Sequence, residues 1–414
     1  MIRGITTAVI TLLAKIFFRR IELAGEENVP RREGVIFAVN HPNALIDPLF
    51  LLVFAPRPVS FLAKAPIFTM PVIGWFARAL DSIPVYRRQD NMPTESNRAT
   101  FVAARALLAR GGAIAIFPEG TTHSDPQLRE LKTGASRIAL GASIRVSIVP
   151  TGLYYTAKQT FRSGALMVFG TPIVVEPDPV DAEGEPRRES VDALTRRIEE
   201  GLDAVTLQAD SRQALELIAR AARIFSGGES GDLAGELELR RRFVAGYAFL
   251  REHDPARLAK LQSQIARFDA EQVAAAERPT ITTLARLLLL PIGLAGMLIH
   301  WPIYRLIRFL AVRLARDEEM IATIKTLAGL ALYPLLWITA GILVGVPFGA
   351  RYGLLTTLLF PLIAYIALVV YETLDDLIGR LRAMRHHDLR AEQQAIREEI
   401  LAVGVAAGFS RPTG

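Results

Sequence analysis

The sequence predicts an α/β fold with a mostly parallel sheet, followed by a helical segment and a C-terminal transmembrane helical hairpin. Three observations carry this. Between residue 34 and about residue 175, apolar runs of strand length alternate with stretches of helical spacing, and such alternation argues for a parallel sheet crossed over by helices. Residues 209–275 carry apolar side chains at helical spacing among many charges. After Arg286, the stretches up to Arg305, from Lys325 to Arg351 and from Arg351 to Glu372 contain no formal charge. The last two are long enough to cross a bilayer, which takes roughly 20 apolar residues in a helix.

The chain opens "MIRGITTAVITLLAKIFFRRIELAG". Its apolar run, Gly4 to Leu13, is followed by Lys15, Arg19 and Arg20 with no small-residue cleavage site, which argues against a signal peptide. It is also too short to span. Residues 1–28 read as an amphipathic helix lying on a membrane surface, or equally as a first core helix. The α/β unit is expected over 29–207. Its strands are "GVIFAVN", "PVSFLAK", "SIPVYRR", "AIAIFPE", "SIVPTGLYY" and "ALMVFGTPIVV", and its helices fall at about 48–54, 66–79, 93–110, 128–142 and 189–207. Residues 208–280 read as a helical segment interrupted by the flexible "SGGESGD".

A membrane region is expected over 281–375, with the hairpin at about 327–371 and Arg351 at its tip, and a cytoplasmic helical tail over 376–414. Arginines 305, 308, 313 and 316 and Lys325 precede the hairpin, and arginines 380, 382, 385 and 390 follow it. Positive-inside logic places both flanks in the cytoplasm. Pro291, His300 and Pro302 make 287–304 a re-entrant or interfacial helix, and the α/β unit is then cytoplasmic.

The totals exclude several classes. The chain has 414 residues, no cysteine and a net charge of +6. Disulfides and thiolate metal sites are therefore absent. A mildly basic chain with long apolar runs points to an anionic membrane surface. No zinc-finger spacing or aromatic-basic recognition motif supports nucleic acid. "KTG" at 132–134 lacks an accompanying Ser-x-x-Lys, "GESG" lacks the full hydrolase elbow, and no phosphate-cradling Gly-x-x-x-x-Gly-Lys-Ser/Thr occurs. His386-His387-Asp388 reads as a solvated helix face and not a metal site.

The chemistry-bearing residues stand where strands end. "NHPNALIDP" follows the first strand, and a histidine at a sheet edge can act as a general base near neutral pH. His41 needs a partner to fix its tautomer. Asp47 can be that partner if the chain turns back at Pro42. Asp47-Pro48 also reads as a helix N-cap followed by proline. "AIAIFPEGTTHS" ends another strand with Glu119, Gly120, Thr121 and Thr122. Glycine there lets a ligand approach the backbone, and the threonines add hydroxyls. "SIPVYRR" ends in Arg87 and Arg88, and paired arginines suit a phosphate. "SIVPTGLYY" places Pro150 near a strand end. The apolar "PIFTMPVIGWFARAL" reads as core packing, or as an apolar wall of a ligand pocket.

These four blocks, in this order over about residues 30–175, resemble the phospholipid/glycerol acyltransferase family, which includes glycerol-3-phosphate and lysophosphatidate acyltransferases. "LKTGASRIAL" and "ELELRRRFVAGYAFL" look closer to its membrane-bound subgroup acting on glycerol-3-phosphate or dihydroxyacetone phosphate. The resemblance implies that His41 takes the acceptor hydroxyl's proton and that Asp47 orients and stabilises His41. It implies that Glu119 and Gly120, with Thr121, shape the acceptor site, that Arg87 binds the acceptor phosphate, and that Pro150 shapes the pocket. Acyl-CoA or acyl-carrier protein would be the donor substrate, with no metal or redox cofactor. Two departures matter. Five residues separate His41 from Asp47 where the family usually has four, a spacing the subgroup tolerates. Thr122 stands where an arginine is common, which shifts phosphate binding toward Arg87, Arg88 and Lys132. A non-catalytic lipid-binding adaptor is the alternative of another class, and intact His41, Asp47 and Glu119 argue against it.

Overall fold

A computed structural model describes residues 2–69, 74, 78, 82–86, 97–226, 231–268, 286–315, 317–385 and 389–408. The chain divides into two compact units, Met1–Ser211 with Asp232–Leu237, and Arg212–Gly231 with Glu238–Gly414.

In the first unit, helix α1 (Ile2–Phe17) runs into strand β1 (Phe18–Ala24). There follow β2 (Gly34–Val39), α2 (Ile46–Phe54), β3 (Ser60–Lys64), β4 (Ile83–Val85), α3 (Asn97–Ala109), β5 (Ala113–Ile116) and α4 (Gly134–Leu140). Then come β6 (Val146–Tyr155), β7 (Ser163–Phe169), β8 (Ile173–Val175) and α5 (Arg188–Asp203). The strands form one sheet in the order β1-β7-β6-β2-β5-β3-β4, with β8 also pairing β6. β7 and β8 run antiparallel to β6, and every other pairing is parallel.

Every residue of β2 is buried. A strand covered on both faces needs a continuous apolar run, and "GVIFAV" supplies one. Ile36 and Ala38 pack with Ala104 and Leu108 of α3, Ile138 of α4 and Leu194 and Ile198 of α5. Phe37 points the other way, its ring 5.9 Å from that of Phe169.

The structure corrects several expectations. β1 lies inside the segment assigned to the surface helix. Its "FRRIELA" pairs in parallel with β7, with Arg19 exposed and Glu22 accepting the Leu233 N–H at 2.6 Å. α1 keeps features of both earlier readings: Phe17 is buried, whereas Val9, Leu12 and Ile16 stay exposed. "ALMVFGTPIVV" is two strands, β7 and β8. The helix expected at 128–142 is shortened to α4, and that at 66–79 begins as a 3-10 turn over Ala65–Thr69, with most of the remainder outside the described residues. Pro150 lies within β6 and not near its end. It sits between the residues paired to β8, Val146–Ile148, and those paired to β7, which start at Thr151. A proline, lacking N–H, fits where a strand changes partners. Its ring packs against α5, where a Cβ at Gly201 would stand 2.5 Å from Pro150 Cγ.

The second unit contains α6 (Arg212–Ser226), α8 (Pro255–Arg267), α9 (Leu290–Leu314), α10 (Glu318–Phe348), α11 (Ala350–Arg385) and α12 (Leu389–Ala406), while α7 (Leu233–His253) starts in the first unit. Asp254 caps α8, its carboxylate accepting the Arg257 N–H at 3.0 Å ahead of Pro255. Ala221 and Ile224 of α6, Leu250 of α7, Leu258, Leu261 and Ile265 of α8, and Ile396, Ile400 and Val403 of α12 share one buried cluster.

Among the described residues, three helices are long and apolar enough to cross a membrane: Leu290–Leu314, Glu318–Phe348 and Ala350–Asp375. They make the chain membrane-associated. The hairpin is seen as expected, turning at Gly349 with φ 104°. The stretch 287–304 is not a separate segment, because from Leu290 it is part of one helix that continues through Pro302 to Leu314. α9 meets both arms of the hairpin. Gly293 abuts Val370, Gly296 abuts Ile363 and Ala367, and Ile307 approaches Gly329. His300 donates from Nδ1 to the Gly296 carbonyl at 2.8 Å and accepts the Trp337 indole N–H at 3.1 Å. Val370 and Gly329 stand at nearly equal distance along the two arms from the turn, so α9 meets the hairpin at the same depth near both its ends.

Gly152 of β6 packs so tightly that a Cβ there would collide with the Val205 carbonyl oxygen. Gly152→Ala is expected to cost about 1–3 kcal/mol, the usual cost of overpacking. Thermal unfolding in detergent followed by circular dichroism checks this, and an unchanged Tm would contradict the packing described.

Candidate active site

β2 and β5 are adjacent and parallel, with Val35↔Ala113 through Ala38↔Ile116 in register. Their carboxyl ends therefore share one edge of the sheet, and open parallel sheets build sites there. The loop after β2 carries His41 and Asp47. The loop after β5 carries Phe117 to Ser124.

Asn40 fixes where the first loop begins. Its side-chain oxygen accepts the Leu153 N–H at 2.7 Å and its amide donates to the Leu153 carbonyl at 3.1 Å. This pins the end of β2 to β6. The chain then turns sharply, with Ala44 at φ 27°, and the Asn43 carbonyl accepts the Ile46 N–H that opens α2. That turn brings Asp47 back onto His41.

Asp47 is fully buried. Its Oδ2 accepts from His41 Nδ1 at 2.8 Å and from the Asn43 N–H at 2.7 Å, and its Oδ1 accepts from the Tyr155 hydroxyl at 2.7 Å. A buried carboxylate must be satisfied in this way to be tolerated. Asp47 is not the N-cap of α2. That position is Leu45, without a side-chain cap bond. Because a carboxylate only accepts, His41 Nδ1 carries the proton and Nε2 is left as the basic nitrogen. The His41 ring stacks on Phe117 at 4.1 Å and 21°, and its side chain is 16% exposed. The result is an oriented imidazole whose Nε2, once unprotonated, can accept a proton from a hydroxyl.

The second loop grips the first. Glu119 is buried, and its Oε1 accepts the His41 backbone N–H at 3.1 Å. Its Oε2 pairs with His123 Nε2 and accepts the Arg129 N–H at 3.2 Å. Gly120 is left-handed at φ 71°, a conformation glycine adopts without strain. The Lys132 N–H donates to the Pro118 carbonyl at 2.7 Å, which seats its stem beside Gly120 with the side chain exposed. Thr121 is exposed next to them. Lys158 Nζ ties the two loops together, donating to the Pro42 carbonyl at 2.9 Å and to Ser124 Oγ.

The structure thus gathers His41, Asp47, Glu119, Gly120, Thr121 and Lys132 at one edge. Glu119 points inward to the His41 loop and is enclosed by donors. Pro150 pairs with Ala38, three residues before His41, so it lies within the sheet and not in the loops of this edge. Arg87 and Arg88 lie outside the described residues, although β4 ends at Val85 on the same edge. Phe117, His123, Asn40, Tyr155 and Lys158 were missed. Asn40, Phe117 and His123 stand inside quoted motifs, and Tyr155 ends a quoted strand, so position alone could have flagged those four.

The family model described as Acyltransferase matches residues 20–154, which span both loops. This part of the chain carries an acyltransferase domain. An uncharacterized acyltransferase of Schizosaccharomyces pombe is 23% identical, covering 91% of this chain and 75% of that protein. Glycerol-3-phosphate O-acyltransferase 1 of Saccharomyces cerevisiae is 26% identical, covering 79% of this chain and 59% of that protein. The chloroplastic 1-acyl-sn-glycerol-3-phosphate acyltransferase LPAT1 of Arabidopsis thaliana is 30% identical, covering 34% of this chain and 38% of that protein. The chain therefore spans under two thirds of the length of the last two. The matched residues of the acyltransferase domain begin at Arg20, within β1, so the edge strand falls inside the family's own boundaries.

Burial holds the Tyr155 hydroxyl well above the ordinary tyrosine range, and the charge and hydrogen bond of Asp47 push it further. The neutral phenol is thus favoured by folding. Its contribution is complete below the unfolded value of about 10 and is lost as pH rises through the higher folded value. Above that unfolded value, the acyltransferase should lose stability more steeply with pH than Tyr155→Phe does. Denaturant titrations across that range check the slope, and parallel curves would contradict it.

Proposed function

We propose that this acyltransferase transfers a fatty acyl group from a thioester, acyl-CoA or acyl-carrier protein, to glycerol-3-phosphate or dihydroxyacetone phosphate in the making of phosphatidic acid and phospholipids. The observation that carries the reading is His41, held by Asp47 with Nε2 free beside the Glu119–Gly120 turn. The acceptor hydroxyl gives its proton to Nε2, and its oxygen attacks the thioester carbonyl. The tetrahedral intermediate collapses, the C–S bond breaks, and His41 returns the proton to the leaving sulfur. Asp47 stabilises the imidazolium between these steps. Lys132, beside Gly120, and Arg87 and Arg88 are the cations proposed for the acceptor phosphate. Likeness to the yeast glycerol-3-phosphate O-acyltransferase over most of this chain favours that acceptor. Lysophosphatidate is the second reading, supported by the match to the Arabidopsis protein.

Thiol release from acyl-CoA by purified protein, with each acceptor in turn, tests the proposal. His41→Ala should lower kcat by about a hundredfold to ten-thousandfold, the range for a general base. Wild-type protein that releases no thiol with any of these acceptors, from either donor, would overturn the enzymatic reading in favour of a lipid-binding adaptor.

For the membrane, we propose two crossings, by α10 and α11, with the acyltransferase domain in the cytoplasm. α6, α7 and α8 precede the apolar helices and α12 follows them, yet they share one buried cluster. Two flanks packed together lie on one side, which requires an even number of crossings. α9 meeting both arms of the hairpin at one depth supports a re-entrant or interfacial course for it. The exposed Val9, Leu12 and Ile16 of α1 suit a membrane surface.

The absence of cysteine makes single-cysteine labelling clean. In intact cells a membrane-impermeant maleimide should label a cysteine at Gly349 and spare cysteines at Glu252 and Ala391, which react only after lysis. Opposite behaviour of the last two positions would refute the even count.

A further inference from the structure

The buried pair His123–Glu119 is not needed for the proton transfer described, yet both of its side chains are largely enclosed. His123 is 9% exposed and Glu119 is 3% exposed. The hydrogen bonds define the state of His123. Its Nδ1 accepts the Asp125 N–H at 3.2 Å. Nδ1 therefore carries no proton, Nε2 does, and that N–H donates to Glu119 Oε2. Glu119 in turn passes the constraint on, because its other oxygen receives the His41 N–H at 3.1 Å. The His123 backbone N–H also donates to the His41 carbonyl at 3.3 Å.

Both hydrogen-bonding groups of the His41 main chain are thus held from the β5 loop. The N–H is held through the His123 side chain and Glu119, and the carbonyl is held by His123 directly. Asp47 fixes the ring of His41, and nothing in that contact fixes the peptide carrying it. We infer that His123 is a positioning residue for the His41 base: its neutral Nε2–H holds the Glu119 carboxylate in the orientation that locks the His41 peptide.

A buried carboxylate left one donor short does not stay in place, since the lost bond must be replaced by water or by rotation. Either change frees the His41 N–H. The base would then be correctly paired with Asp47 and wrongly placed, and misplacement by about 1 Å can cost about a hundredfold in rate. A phenylalanine-stacked ring on a loosened peptide would also stand more open to solvent.

The inference rests on the proposed acyl transfer, so one arm of its test does not use turnover. Compare wild type, His123→Leu, which removes the donor, and His123→Gln, which keeps an N–H at similar reach. In thiol release, His123→Leu should lose about tenfold to a hundredfold in kcat, while KM for the acceptor stays within about twofold, as expected for a group that acts on the reacting geometry and not on ground-state binding. His123→Gln should recover most of the loss. In parallel, carbethoxylation of His41 by diethylpyrocarbonate, followed by mass spectrometry of the His41 peptide, should run about threefold or more faster in His123→Leu than in wild type, and near the wild-type rate in His123→Gln. If His123→Leu does not fold, His123→Asn, polar but too short to reach Glu119, replaces it with the same expectations.

Unchanged kcat and unchanged His41 reactivity would overturn the positioning role. So would a loss confined to KM, or a loss that His123→Gln does not recover. If wild type shows no turnover, the acyl-transfer reading fails, and the carbethoxylation rates alone decide whether His123 holds His41.

Discussion

The buried carboxylate of Asp47 is the constraint on which the site depends. A charge with no solvent access is tolerated only when its oxygens are filled by donors, and Asp47 finds three: an imidazole, a backbone amide and a phenol. Each comes from a different kind of structure. The imidazole ends β2, the amide belongs to the turn that folds the loop back, and the phenol ends β6. The carboxylate can be satisfied only when strand, turn and neighbouring strand are all in place. The tautomer of His41 then follows from the fold and needs no separate device.

The sheet makes this arrangement possible by bringing parallel strand ends together. β2 lies between β6 and β5, so one loop is braced from both sides. β6 contributes the Leu153 peptide to Asn40 and the Tyr155 hydroxyl to Asp47. The β5 loop contributes Phe117 against the ring and Glu119 against the main chain. Two enclosed acids hold the same histidine at different atoms. Asp47 governs the proton and Glu119 governs the position, which separates the chemical demand from the mechanical one.

Much of this was legible in the sequence, and the exceptions share a cause. Strand-length apolar runs ending in histidine or in Phe-Pro-Glu-Gly gave the sheet and its working edge, because burial on both faces writes a continuous hydrophobic signature. The hairpin was legible for the same reason, with charge-free stretches on either side of Arg351. β1 was hidden because "FRRIELA" is an edge strand rich in charge whose residues continue a helical run. The roles of Asn40, His123 and Tyr155 were not legible, because each is set by a partner brought close by tertiary folding. Leu153 is far from Asn40 in the chain, and only the pairing of β2 with β6 joins them. The continuity of α9 past Arg305 was missed because the charge-free stretch ends there. Packing of Gly293 and Gly296 against α11, and the His300–Trp337 bond, sustain one helix up to that point.

The cluster that joins α6, α7 and α8 to α12 also orders the assembly of the molecule in time. Its two halves are separated in the chain by the whole membrane region, so during synthesis the earlier helices must wait with an uncovered apolar face until the hairpin has been made. The closing partner, with Ile396, Ile400 and Val403, emerges only afterwards. If the hairpin were delayed or misdirected, α12 would be carried to the wrong side or arrive late. The β-sheet unit, whose strands all precede the membrane region, has no such dependence.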